Sequence, residues 1–174
     1  MSSIQTGELP HDSFLMTYKE AGAFTDCYFM DVPGHVTQVE YVEAFYTTTL
    51  FKVERTVLAL LANKPSTDIQ AVHLAAGLAG HFAAWRVEQR AFDQMLLCDF
   101  LGRTRSWLMT APSNDKVSTR LYFGSAVIPK SVTGSGQRSF GFAFHALSGF
   151  HQLYTRLLMR AALARLLKLR AGRQ

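Results

Sequence analysis

The sequence predicts an α+β fold: a curved antiparallel sheet packed on a long C-terminal helix, with two or three short helices after the first strand. Three observations lead there. Ser148 to Arg170 reads SGFHQLYTRLLMRAALARLLKLR, free of proline and rich in good helix formers, enough for about six turns. Between Phe82 and Val127 the apolar period falls from about 3.6 residues to about 2, the mark of strands. Upstream, Thr37 and Thr67 each open a T-x-x-E/Q capping box, in which two side chains satisfy each other's backbone amides at a helix start.

A chain of 174 residues fits one domain, spanning 1–174, and at that size roughly 70% of the unfolded surface can be buried. Apolar residues at 48% and charged residues at 18% describe a globular composition and exclude a disordered chain. Met1 to Phe14 shows no apolar core behind a basic start, and Arg or Lys interrupts every apolar segment before about 18 residues. A cytoplasmic protein is therefore expected. Cys27 and Cys98 lack metal spacing and are too few for a disulfide framework, so both read as buried thiols in a reducing compartment.

The elements follow in order. Ser2 to Lys19 is polar and mixed, and is expected along the surface. Phe24 to Val32 (FTDCYFMDV) reads as a strand closed by Pro33-Gly34, with Phe24, Asp26, Tyr28, Met30 and Val32 on one face. The first capping box starts a helix whose apolar stripe is Val39, Val42, Phe45 and Tyr46. Three β-branched residues, Thr47, Thr48 and Thr49, then break it. A second helix runs through Leu50, Val53, Val57, Leu58 and Leu61 and stops before Asn63-Lys64-Pro65. The second box opens a short helix that Gly77 or Gly80 ends.

Four strands come next, Phe82–Arg90, Gln94–Phe100, Thr104–Thr110 and Ser118–Val127, joined by turn residues into an antiparallel meander. Pro129 to Ser139, with Gly134-Ser135-Gly136, is a flexible connector. On the last helix Phe150, Leu153, Tyr154, Leu157, Ala161 and Ala164 share one face, with Gln152, Arg156 and Arg160 towards the opposite flank. The alanines allow close approach while Phe150 and Tyr154 are large, which suits a helix laid across a curved sheet and hollow near one end.

This element order resembles the helix-grip fold of the START-like superfamily, which includes lipid-transfer proteins and polyketide cyclases. The resemblance spans the chain, and it implies a sheet wrapped round the last helix with an apolar cavity between them. Fewer strands are evident here than that superfamily usually has. Phe24–Phe29 (FTDCYF), Phe123–Val127 (FGSAV) and Phe150-His151 with Tyr154 and Arg156 are also similar to stretches in bacterial domains of unknown function, which carry no activity across.

Charge is unevenly spread. Residues 1–115 carry 8 Lys/Arg against 13 Asp/Glu, whereas residues 116–174 carry 10 Lys/Arg and no acid, giving the net charge of +5. The plainer account is an acidic half folded on a basic half. Leucines between Arg156, Arg160, Arg165, Lys168, Arg170 and Arg173 also suit an anionic membrane surface. Nucleic acid ranks below both, since the aromatic interleaving of single-strand binders is missing.

Six histidines (His11, His35, His73, His81, His145, His151) show no metal-ligand spacing, and no cofactor motif occurs. No nucleophile elbow surrounds Ser125 or Ser135. If the last helix lines a cavity, His151 and Tyr154 offer it an imidazole and a phenol. Arg105 shares a strand face with Trp107 and Met109; buried there, it needs a carboxylate such as Asp26 or Glu88, or else a ligand's anionic group.

The leading expectation is a binding module that holds a hydrophobic or amphipathic small molecule between sheet and last helix. Trp85, Val87, Trp107, Met109, Phe123 and Tyr154 form its wall, and Arg105 anchors a polar head. The alternatives are a cyclase or hydratase using His151, Tyr154 and Asp26 or Glu88 in the same cavity, and an interaction protein whose apolar excess serves a homodimer.

Overall fold

A computed structural model describes residues 3–62, 65–129, 131, 132, 138, 139 and 142–172; side chains of residues 54, 57–62, 131, 132, 138, 139 and 142–151 fall outside that description. The chain opens with β1 (Gln5–Thr6), α1 (Met16–Glu20) and β2 (Phe24–Pro33). Three helices follow, α2 (Gln38–Tyr46), α3 (Thr49–Ala62) and α4 (Asp68–Ala75). Then come β3 (His81–Phe82), β4 (Trp85–Arg90), β5 (Gln94–Asp99), β6 (Thr104–Pro112) and β7 (Ser118–Val127). The short pair β8 (Ser131–Val132) and β9 (Arg138–Ser139) precedes α5 (Phe142–Ala171).

The curved seven-stranded sheet has the order β1-β2-β7-β6-β5-β4-β3 and is antiparallel throughout. Its first long strand pairs with its last along the full length, from Phe24↔Val127 to Pro33↔Ser118. The expected meander is present, but its first strand is split into β3 and β4 at Ala83, whose φ of 52° breaks the extended run. The expected connector from Pro129 to Ser139 contains the β8–β9 pair. Gly134-Ser135-Gly136 lies outside the described residues.

Both capping boxes form. Thr37 accepts from the Glu40 amide while Glu40 accepts from the Thr37 amide, and Thr67 and Gln70 repeat the arrangement. The threonine break falls at Thr47, and Thr48 then caps α3 by accepting from the Phe51 amide at 3.1 Å. Gly77, at φ +78°, closes α4 with the Leu78 amide donating back to the His73 carbonyl.

Strand alternation gives the sheet two buried faces. On the inner face Tyr28, Met30, Leu97, Leu108, Leu121 and Phe123 meet Tyr41, Phe45 and Tyr46 of α2, Leu74 of α4 and the last helix. The outer face is the unexpected one. Residues 9–23, including α1, form a strap that buries Leu9 and Leu15 on Cys27, Leu96, Trp107, Met109 and Ala126. The segment does lie along the surface, as expected, but Leu9 and Leu15, with Phe14, Met16 and Tyr18 packed beside them, fasten it to the sheet.

The buried stripe of α5 is corrected. Among its described side chains it consists of Thr155, Leu158, Met159, Ala162 and Leu166, roughly a third of a turn from the face read off the sequence, whose Phe150 side chain lies outside the described residues. Leu153 is 58% exposed and Leu157 44%. The apolar residues of this helix span so wide an arc that only the polar flank (Gln152, Arg156, Arg160, all exposed) is well defined. In α2, Val39 likewise leaves the predicted stripe and faces water, while Val42, Phe45 and Tyr46 are buried.

The two halves of the charge distribution do meet. Arg120 forks onto Asp31 at 2.7 and 2.8 Å, and Arg170 reaches Glu40 at 3.1 and 3.2 Å. The Arg120 hydrogen bonds hold the Asp31 carboxyl below its ordinary range. Cys27 and Cys98 are buried free thiols. Among the described residues no helix is long and apolar enough to cross a membrane.

At the centre of the outer face the strap approaches the sheet closely. A Cβ built on Gly124 would stand 2.7 Å from the Asp26 carbonyl oxygen, 2.8 Å from Leu15 and 3.0 Å from Trp107. The backbone oxygen is held by the ladder and cannot yield. Gly124→Ala is therefore expected to cost about 1–3 kcal/mol, the usual penalty for overpacking. A thermal melt superimposable on the parent's would show that the strap accommodates the methyl group.

Candidate functional site

A cavity of about 250 Å³ lies between the inner face of the sheet and helices α2, α3 and α5. Its origin lies in the strand register. Across the sheet, Asp26, Ser125, Ser106 and Leu97 stand opposite one another in a row. The next row towards the core is Tyr28, Phe123, Leu108 and Met95. Where the core row has large apolar side chains, the neighbouring row has two serines. The helices bridge the two rows, and the volume that leucine or phenylalanine would fill is left open.

Phe45, Tyr46 and Phe51 roof the cavity, Trp85 and Phe123 flank it, and Tyr154, Thr155 and Leu158 enter from α5. The hydroxyls of its floor are engaged: Ser106 Oγ lies 3.4 Å from Tyr46 Oη, and Ser125 Oγ donates to Asp26 at 2.8 Å. Two other polar atoms of the lining residues are not. Trp85 Nε1 and Thr155 Oγ1 are buried with no hydrogen-bond partner among the described residues.

Of the residues expected at the site, Trp85, Phe123 and Tyr154 do line this cavity. Trp107 and Met109 do not. They belong to the outer-face cluster beneath the strap, because alternation from Ser106 and Leu108, both inward, turns them the other way. The side chain of His151 lies outside the described residues. Val87 packs on the inner core without reaching the cavity. Sequence reasoning missed Ser106, Ser125 and Thr155, which show their meaning only when strand register and helix rotation are known.

Arg105 also lines the cavity, but its guanidinium is engaged on the outer face, in the ion pair expected beside the anchor role. Nε lies 2.9 Å from Glu88 and also donates to Tyr18 Oη at 2.9 Å, while Nη1 donates to the Gly102 carbonyl at 3.0 Å. The guanidinium also sits 4.7 Å from the centroid of the Tyr18 ring. Tyr18 in turn donates to Glu88. Glu88, not Asp26, is thus the carboxylate partner; alternation from the inward Trp85 and Val87 turns it outward, at the point where the register shifts between Val87 and Gln89. Burial raises the Tyr18 pKa and its hydrogen bond to Glu88 adds to this, with Arg105 opposing.

A second, larger cleft of about 410 Å³ is bounded by the loop after β2, the start of α2 and the turns of the β4–β5 and β6–β7 hairpins. Its rim is formed by exposed turn residues, Phe92 being 92% exposed, over a floor that includes the buried Val36, Gln38, Thr110 and Thr119. No group of three or more His, Cys, Asp or Glu that could hold a metal occurs among the described residues. Burial, with the Asp26 carboxylate adding to it, pushes the Cys27 thiol up to about 12, which removes it as a nucleophile near neutral pH.

Comparison with known proteins finds no matching family model, no matching curated protein and no matching solved structure. The functional reading rests on the chain's own geometry.

The Arg105 network makes a stability prediction. Arg105→Met strands the Glu88 carboxylate and is expected to cost about 3 kcal/mol in urea denaturation. Adding Glu88→Gln should recover more than half of that loss. A single variant within about 0.5 kcal/mol of the parent would mean that Glu88 is solvated well enough to stand alone.

Proposed function

We propose that the protein binds a small hydrophobic or amphipathic molecule in the cavity between the sheet and α5. The observation that carries this reading is the open volume of about 250 Å³ behind a largely aromatic wall. Protein interiors are packed as densely as organic crystals, and voids much larger than a water are few. A chamber walled by Phe45, Phe51, Trp85 and Phe123 is of the kind that takes apolar ligands. The helix-grip resemblance supports the same reading, since it implies a cavity in this position.

The size limits the ligand. An apolar cavity of roughly 150 Å³ takes benzene, so a body of about two fused rings, or a short branched chain, suits this one. A proton-transferring enzyme in the same cavity has less support. Its two candidate carboxylates are engaged, Asp26 by the amide and hydroxyl of Ser125 and Glu88 by Arg105 and Tyr18.

Native mass spectrometry of freshly purified protein tests the proposal, with Ser106→Leu as the control. Leucine at this position continues the apolar row into the chamber and should fill it. The parent is expected to retain a small molecule, released on collisional activation, that Ser106→Leu lacks while keeping a cooperative melt. Equal retention by both proteins would place the ligand elsewhere. Absence of any adduct, together with no binding of fused-ring probes, would remove the proposal.

A further inference from the structure

The outward side of α5 is apolar where a solvent-facing helix is ordinarily polar. At about 100° per residue, Leu153, Leu157, Ala164 and Ala171 fall within roughly 40° of one another, opposite the buried Thr155, Ala162 and Leu166. All four are exposed, and the exposed Leu167 stands beside them. Arg156 and Arg160 flank this stripe on one side and Lys168 on the other, and all three are exposed. The stripe runs about 27 Å along the helix. A helix with apolar residues all round belongs in contact all round, yet the described residues of the sheet and the other helices cover only the opposite side.

Charge selects what covers this side. The helix carries no Asp or Glu, and none occurs anywhere in residues 116–174. In that half Arg120 and Arg170 have their charges met by Asp31 and Glu40. Among the described residues, no carboxylate is ion-paired to Arg156, Arg160 or Lys168. A second copy of the chain is a poor occupant, because a two-fold contact sets the same patch against itself and would bring cations onto cations. Nucleic acid would meet the cations with phosphate but give the leucines no apolar contact. An anionic lipid surface answers both features: its headgroups meet Arg156, Arg160 and Lys168 while Leu153, Leu157 and Leu167 enter the acyl boundary.

We propose that the outward side of α5 docks the protein on an anionic lipid bilayer, with the helix lying in the plane of the interface and not crossing it. This stands apart from the ligand-binding reading. The chamber is lined by Tyr154, Thr155 and Leu158, on the side of the helix turned to the sheet, whereas docking uses the side turned away. Both kinds of contact are needed. The cations concentrate the protein at the charged surface, and the leucines hold it there by burying apolar area.

Cosedimentation of the full-length protein with lipid vesicles tests the proposal, using phosphatidylcholine alone and phosphatidylcholine mixed with phosphatidylserine. Partitioning onto the mixed vesicles is expected to be stronger by about tenfold or more. That preference should vanish near 1 M salt, where the Debye length is about 3 Å. Each cation near an anionic surface is worth about fivefold, so Arg156→Gln with Arg160→Gln should weaken partitioning about twentyfold. Leu153→Gln with Leu157→Gln keeps the charge and should weaken it by about tenfold or more. All four side chains are exposed, so both double variants should melt with the parent. Equal binding to the two kinds of vesicle, binding to neither, or full binding by either variant overturns the proposal. An oligonucleotide bound where vesicles are not, and released only by the arginine variant, overturns it in favour of nucleic acid. A dimer in light scattering that only the leucine variant dissociates, with no vesicle binding, overturns it in favour of a second copy.

Discussion

The amide of Gln94 holds the outer half of the structure together. It is buried on β5, and its Oε1 accepts from the Phe14 amide and from Trp107 Nε1, each at 3.0 Å, while its Nε2 donates to the Asp12 carbonyl at 3.0 Å. One side chain thus satisfies the turn that starts the strap and the indole over which the strap lies. Without it, the buried Trp107 indole N–H would be left unpaired, at a cost of about 1–3 kcal/mol, and the Phe14 amide and Asp12 carbonyl would lose their partner. The strap positions Leu15 over Gly124 and carries Tyr18 to Arg105 and Glu88. Burial of the sheet's second face therefore depends on a glutamine.

That arrangement explains why the Arg105 guanidinium is engaged away from the chamber. A sheet with one open face would leave outward side chains in water, and a cation at its edge could turn towards either side. Here the strap closes the outer face, and Tyr18 supplies an aromatic ring and a hydroxyl to a guanidinium that Glu88 neutralises. Burial works against the Arg105 charge, but the Tyr18 hydrogen bond and the Glu88 carboxylate outweigh it, so the group holds its proton more tightly than usual. The network fastens strap, β4 and β6 at one corner. The inner face keeps its polar groups for other purposes.

Much of the architecture was legible because it rests on local chemistry. Thr37 with Glu40, Thr67 with Gln70, the threonine run and Gly77 state helix ends by side-chain reach and backbone conformation alone, and all of them behave as read. Strand alternation likewise grouped Arg105, Trp107 and Met109 correctly on one face. What could not be read was which face that is. Alternation is symmetric, and both faces of this sheet are buried, so hydrophobicity gives no vote. The strap was hidden because Leu9 and Leu15 form no periodic pattern. The rotation of α5 was hidden because leucines and alanines surround most of its circumference.

The chamber follows from the same limit. Ser106 and Ser125 are ordinary strand serines in sequence, on the two arms of the β6–β7 hairpin. Register places them opposite each other, with Asp26 beside Ser125 and Leu97 beside Ser106. A cavity over that row is a property of three strand registers, two of hairpins and one between β2 and β7, taken together with the helix rotation that brings Thr155, not Tyr154 alone, towards the sheet. Shifting β6 by a single residue would exchange its inner and outer side chains and place Trp107 or Arg105 where Ser106 stands. Glu88, at the register shift in β4, is compatible with the chamber for the same reason. Alternation turns it outward to Arg105 while leaving Trp85 and Val87 facing in, so the ion network and the cavity wall are drawn from the same strand without competing for one face.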